Sequence, residues 1–288
     1  MLAPSIRRFA PLSLVLTALS LAACSTVGGG ATSQRIAVVE EDTQGTSQVN
    51  IASLSDVIQR NPNDPSAYNT RGAAYARVGR YSDAISDFSK AVQIDPNYAP
   101  AYTNRALALR QTNRNDQALA DFTRSIQADP NYGPAYIGRA NLLRAQNAYQ
   151  EALSDLNMAT RLLPESAEAL HSRGLLYQRQ NMHQQAILDF DATIDRNPFV
   201  GAPYAARGQS YVATNQFDKA VEDFNAALNV NNRDADSWAW RGVALERKGD
   251  RSQALESYSR ALALDSSNTV ARQGSSRLQG GVAGLFRG

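Results

Sequence analysis

The 288-residue sequence predicts an all-α protein, a solenoid of helix-turn-helix repeats, on three observations. Written from Pro65 in rows of 34, the chain aligns in six rows without a gap, and position 20 is alanine in every row: Ala84, Ala118, Ala152, Ala186, Ala220 and Ala254. Within a row, large apolar residues at positions 4 and 11 lie two helical turns apart with Gly or Ala at position 8 between them. Positions 20, 24 and 27 keep helical spacing in the second half. Prolines at position 32, namely Pro96, Pro130, Pro164 and Pro198, stop the second helix, because proline cannot continue a helix and restricts the residue before it. Repetition at this period marks a stacked array in which each unit buries its apolar face on its neighbours.

The elements follow from the amino end. Residues 1–23 carry Arg7 and Arg8, an uncharged run from Phe9 to Leu21 and then Ala22 and Ala23, the layout of a signal peptide. The run is too short to span a bilayer, which takes roughly 20 apolar residues. Cys24 is the only cysteine, so the chain has neither an internal disulfide framework nor a Cys ligand set for zinc. Leu21-Ala22-Ala23-Cys24 resembles the lipobox of bacterial lipoproteins. That resemblance implies cleavage before Cys24 and lipidation of its thiol, a good nucleophile whose acyl chains would anchor the protein in the membrane. Ser25 resembles the signal for outer-membrane sorting, which implies an anchor in the outer membrane of a bacterial envelope, facing the periplasm. The alternative is a secreted protein cut at the same alanines with a leftover thiol. Residues 24–48, rich in Gly, Ser and Thr, read as a flexible tether of about 25 residues with a mean reach of roughly 25–30 Å. In residues 49–64, Leu54, Val57 and Pro62 fall at positions 24, 27 and 32 of a half row, a lone second helix that caps the stack. The six rows occupy 65–268. Residues 269–278 read as a terminal capping helix, with Arg272 where an aromatic would stand, and 279–288 as a disordered tail.

Three further columns sharpen the repeat. Position 4 is Tyr68, Tyr102, Tyr136, Leu170, Tyr204 and Trp238. Position 8 is Gly72, Ala106, Ala140, Gly174, Gly208 and Gly242. Position 24 is Phe88, Phe122, Leu156, Phe190, Phe224 and Tyr258. Together with the period and the terminal proline, these columns resemble the tetratricopeptide repeat. The resemblance implies a right-handed solenoid whose first helices line a concave groove, with positions 2, 5, 9, 12 and 13 facing a bound segment of another protein. Carried onto this chain, it names Leu107, Ile137, Asn141 and Leu175 on the groove wall, and Arg77, Arg110, Arg144 and Arg179 at positions 12 or 13 of the first four rows. Those arginines make an extended or helical partner segment with acidic residues the expected ligand, the alternative being that they are simply solvated on a curved face. The family's chaperone-tail clamp is not expected, because no Lys or Arg stands at position 2, 5 or 6.

Position 7 is arginine in every row: Arg71, Arg105, Arg139, Arg173, Arg207 and Arg241. Sharing a helix face with the packing positions, each needs a partner, and position 23 offers Asp87, Asp121, Asp155, Asp189 and Asp223, with Ser257 in the last row. A structural ladder of Arg to Asp pairs is expected, within a row or with the preceding row; a ladder facing a ligand is the alternative.

Composition narrows the function. Without residues 1–23 the chain loses two arginines and no acid, leaving 27 basic against 27 acidic residues, so no basic excess argues for nucleic acid. His171 and His183 are the only histidines, and no HExxH, GxSxG or GxxxxGK[ST] motif occurs. The sequence therefore points to no catalytic residues, metal or cofactor. The architecture resembles that of bacterial adaptor lipoproteins, which implies a scaffold or adaptor presenting its groove to envelope proteases, peptidoglycan hydrolases or their substrates. An assembly lipoprotein for a pilus or secretion complex is the alternative, and an enzyme with an unrecognised carboxylate site the alternative of another class.

Overall fold

Each row folds as two helices because its columns give each helix one buried face and its ends carry turn chemistry. The computed structural model describes residues 44–285, with side chains described over 50–280. Those residues belong to one compact unit, Glu41–Gly288. The expected signal peptide, Cys24 and most of the expected tether lie outside the described residues, as do the last residues of the expected tail. The six rows form six pairs: α2 (Pro65–Arg77) with α3 (Tyr81–Ile94), α4 (Ala99–Gln111) with α5 (Asn115–Ala128), α6 (Gly133–Ala145) with α7 (Tyr149–Leu162), α8 (Ala167–Arg179) with α9 (His183–Arg196), α10 (Gly201–Ala213) with α11 (Phe217–Val230), and α12 (Ala235–Lys248) with α13 (Arg251–Leu264). A lone helix precedes them, α1 (Gln44–Arg60), and another follows, α14 (Thr269–Leu285). No strand occurs among the described residues.

The turn inside each pair rests on position 15, where the backbone is left-handed in all six rows: Gly79, Asn113, Asn147, Asn181, Asn215 and Gly249, with φ between 58° and 95°. Glycine and asparagine are the residues that adopt this conformation at least cost. The turn between pairs is held at position 31, where Asp95, Asp129, Asn197, Asn231 and Asp265 accept a hydrogen bond from the backbone N–H two residues on.

Packing follows the columns. Position 20 alanines are fully buried, and the position 24 side chains are buried beneath the first helix of their own row. A Cβ added to Gly72, Gly174, Gly208 or Gly242 would stand only 2.5–2.9 Å from ring atoms of Phe88, Phe190, Phe224 or Tyr258, so position 8 is glycine where the ring beneath it needs the room. Rows 2 and 3 have alanine there and solve the problem differently. Row 3 pairs Ala140 with the slimmer Leu156, and in row 2 the Phe122 ring lies against Gly138 of the next row.

Successive first helices pack on one another, α2 on α4, α4 on α6, α6 on α8, α8 on α10 and α10 on α12. Among the described residues no second helix packs on the next second helix. The first helices thus form the crowded inner layer, and the second helices the outer one.

The end helices depart from the sequence boundaries. α1 starts at Gln44, inside the expected tether, and α14 runs to Leu285, through the Gly280-Gly281 pair expected to open the tail. Glycine disfavours a helix by about 1 kcal/mol without sterically barring it. In α1 the buried residues are Ile51 and Ile58, while Val57 is exposed. Positions 20, 24 and 27 face the first helix of their own row, which α1 lacks. Its buried face is the one that meets α2.

Candidate protein-binding surface

The arginine column comes first, because it decides which arginines are already committed. Arg71, Arg105, Arg139, Arg173 and Arg207 each donate from Nε and Nη2 to both oxygens of the own-row aspartate, Asp87, Asp121, Asp155, Asp189 and Asp223, at 2.7–2.8 Å. The pairing is therefore within the row and bidentate. Nη1 reaches back to position 25 of the preceding row: Ser55, Ser89, Thr123, Asn157 and Asp191. These bonds hold all five guanidinium pKa values above the ordinary arginine value, although burial pulls the other way. Most of these guanidiniums also sit over position 4 or 11 rings, as Arg207 does over Tyr204 and Tyr211 at 5.8 Å. Every partner lies in the second-helix layer, so the column is turned away from the inner face. Arg241, lacking an aspartate, donates to Asn225 and Ser257 at 2.7 Å, and burial lowers its pKa.

The first helices carry a second set of arginines. Arg77, Arg110, Arg144 and Arg179 stand in the last turns of α2, α4, α6 and α8, where the helix dipole favours a cation. Arg77 and Arg179 are exposed; Arg110 and Arg144 are half-buried. At position 9, Leu107, Asn141 and Leu175 are half-buried beside them.

Position 5 requires a correction. Ile137 is buried against Tyr136, Ala159 and Ala169, so it is core and not groove wall. Asn69, Thr103 and Ala239 are buried in the same column. The cause is the way rows stack: position 6 of one row covers position 5 of the row before, as the 2.9 Å bond from Asn104 Nδ2 to Asn69 Oδ1 shows. His171 is an exception, half-buried with its ring 5.6 Å from Phe190.

Charged groups of three successive first helices act on one another around it. Glu168, His171, Leu175 and Arg179 follow one another at spacings of three and four residues along α8, which puts them on one face. The charge of Arg110, from α4, pulls the Glu168 pKa down, but burial pushes it up by more. Burial lowers the pKa of Arg144, on α6, and the like charge of Arg179 lowers it further. Burial and Arg144 together lower His171. The buried Nε of Arg144 and Nδ1 of His171 have no hydrogen-bond partner among the described residues.

Sequence reasoning missed the reach-back column at position 25, though Ser89, Thr123, Asn157, Asp191 and Asn225 are uniformly short and polar, a signal as regular as the aspartates. It also missed Glu168, whose carboxyl feels the charge of Arg110 two rows away. Among the described residues no group of three His, Cys, Asp or Glu is placed to hold a metal, and no helix is long and apolar enough to cross a membrane.

Comparison with known proteins gives one family. A model of the tetratricopeptide repeat matches residues 65–98, and a second one matches 103–167, 137–201 and 205–269. Among solved structures the chain is similar to one reported as an APC/C hetero-tetramer, Cut9-Hcn1, at 20% identity and TM-score 0.70, over 81% of this chain and 46% of that one. It therefore spans less than half of that chain's length. It is similar to Pseudomonas aeruginosa pilF at 18% identity and TM-score 0.67, over 74% of this chain and 97% of that one. It is also similar to YrrB, described as a tetratricopeptide repeat protein with an unusual peptide-binding site, at 22% identity and TM-score 0.56, over 65% of this chain and 96% of that one. At these identities the likeness is one of fold. No curated protein matches the chain.

Proposed function

The chain belongs to the tetratricopeptide repeat family, whose members bind other proteins, and from that premise we propose that it is a non-enzymatic scaffold or adaptor that holds an acidic segment of a partner on its inner face. One observation carries the reading. Arginine is used twice in the first helices, and the two sets differ: five of the six position 7 guanidiniums are consumed by bidentate aspartates, whereas no ion pair of Arg77, Arg110, Arg144 or Arg179 occurs among the described residues. Cations left unpaired beside half-buried Leu107 and Leu175 suit a segment bearing both carboxylates and apolar side chains.

The same proposal places the protein in a bacterial envelope, anchored through lipidated Cys24 to the outer membrane and facing the periplasm. The support is the run Leu21-Ala22-Ala23-Cys24 behind Arg7 and Arg8. In that setting the partners are envelope proteases, peptidoglycan hydrolases or their substrates. Crosslinking in intact cells, followed by identification of the captured protein, tests the reading. Capture is expected from wild type and is expected to fall in Arg77→Glu/Arg179→Glu with the thermal midpoint little changed, because both arginines are exposed and exposed charges contribute little to folding. Unchanged capture in that variant, with loss in Leu107→Ala or Leu175→Ala, would replace the acidic segment by an apolar one. Cys24→Ala is expected to lose the lipid label and leave the membrane fraction; a variant still carrying labelled fatty acid would sink the anchor.

A further inference from the structure

We propose that Arg144, flanked by Arg179 and His171, is the seat for a single carboxylate of the bound segment, so that rows 3 and 4 hold the anchor of the complex and the other inner-face arginines only steer. The inference rests on the acidic-segment reading above and adds to it a place and a stoichiometry.

The argument begins with satisfaction. A half-buried guanidinium ordinarily has its donors paired, and in this chain Arg71, Arg105, Arg139, Arg173 and Arg207 each have two carboxylate bonds and a third bond behind. Arg144 is also half-buried, yet its buried Nε is without a partner among the described residues, and the like charge of Arg179 acts against it. The buried Nδ1 of His171 beside it is also unpaired. Two unpaired buried polar atoms of neighbouring first helices, on the inner face, are a defect of the isolated chain and a recognition site for a group that satisfies both.

The chemistry of that group follows. A guanidinium edge binds a planar carboxylate through two parallel charge-assisted bonds, as the ladder does five times over in this same chain. Imidazole completes the set when Nδ1 carries a proton, as in the cation or the Nδ1–H tautomer, because a carboxylate only accepts. Glu168 stands one turn before His171 on α8, and its charge would oppose a dianion such as phosphate more than a single carboxylate. The arrangement is also unlike a chaperone-tail clamp, since positions 2, 5 and 6 carry no Lys or Arg.

The test uses the full chain and fluorescein-labelled hexaglutamate, followed by fluorescence anisotropy at low salt, with the variants Arg144→Gln and Arg77→Gln. Loss of a hydrogen bond between charged groups weakens binding by about ten- to a hundred-fold, so Arg144→Gln is expected to do so, and Arg77→Gln, which removes a steering charge, to weaken binding several-fold less. In wild type, the imidazole NMR signals of His171 are expected to move on adding hexaglutamate while those of His183 stay. The thermal midpoint of Arg144→Gln is expected to hold or rise, because an unpaired, partly desolvated charge is removed; a fall would make Arg144 structural and overturn the inference. Equal weakening by Arg144→Gln and Arg77→Gln, with His171 unmoved, would overturn the anchor and leave the acidic-segment reading standing. No binding of hexaglutamate by wild type would overturn both.

Discussion

Arg207 is held by Asp191 of the preceding row at 2.6 Å as well as by both oxygens of Asp223 in its own row, and no other ladder arginine has two carboxylates. The two acids are not equivalent. Asp223 is buried, and burial pushes its carboxyl up although Arg207 pulls it down, whereas the Asp191 side chain is 42% exposed. Removing Asp223 takes both bidentate bonds and leaves the half-buried guanidinium only the exposed Asp191, so Asp223→Ala is expected to cost about 2 kcal/mol. Asp191→Ala removes an exposed partner and is expected to cost less than about 1 kcal/mol. Urea unfolding followed by circular dichroism distinguishes them, and equal losses would refute the inequivalence.

The sixth arginine is expected to matter least. Arg241 has only the neutral Asn225 and Ser257 as partners, so replacing it with Met gives up less charge-assisted bonding than the same change at Arg173. Because Arg173→Met also orphans the buried Asp189, the difference is expected to reach about 2 kcal/mol. A larger loss at Arg241 would show that cation–π contact with Trp238, at 5.5 Å, outweighs the carboxylates.

Gly174→Ala is expected to destabilise by about 1–3 kcal/mol, because the new methyl would stand 2.6 Å from Phe190 Cε1 in a fully packed core. Row 3 shows what relieves the clash: with Ala140 above, position 24 is Leu156. Gly174→Ala/Phe190→Leu is therefore expected to be more stable than Gly174→Ala alone. A double variant that is no better would mean the strain resides in the backbone.

How legible all this was depends on whether a feature belongs to one row or to the fit between rows. The helix pairs, the buried alanines at position 20 and the Arg173–Asp189 type of pair recur within a row, where spacing alone brings the partners together. The burial of Ile137 could not be read that way, since it is set by which residue of the next row lies over it. The pull of the Arg110 charge on Glu168, two rows on, depends likewise on how successive first helices are rotated. Val57 misled for a related reason: its column is buried only where a first helix of the same row exists to cover it.

The C-terminal helix is expected to loosen in acid. Arg277 donates to both oxygens of Glu246, the Tyr258 hydroxyl donates to one of them, and these bonds hold the Glu246 carboxyl below the ordinary carboxylate range. An acid whose folded pKa is depressed contributes stability that is complete above its unfolded pKa, about 4.3, and is lost as the pH falls through the folded value. Amide protection factors in α14 are expected to drop below about pH 4 while those of α9 hold. Glu246→Gln is expected to show the loosened helix already at pH 7, with a loss of about 1 kcal/mol. Protection in α14 that ignores both acid and the substitution would refute the clasp.

The Phe122 ring that leans on Gly138 has a consequence for the rows as building blocks. Row 2 cannot shelter its own aromatic, because Ala106 stands where Gly72 or Gly174 would, and it borrows the space from row 3. Rows 2 and 3 are therefore a single unit for engineering. Excising row 3 would bring Ser172 over Phe122, with a Cβ where the ring now lies, whereas excising row 5 would leave Phe122 beneath Gly138 and the other aromatics beneath glycines of their own rows. A solenoid that looks like six interchangeable bricks is, in its assembly grammar, five words, one of them two bricks long.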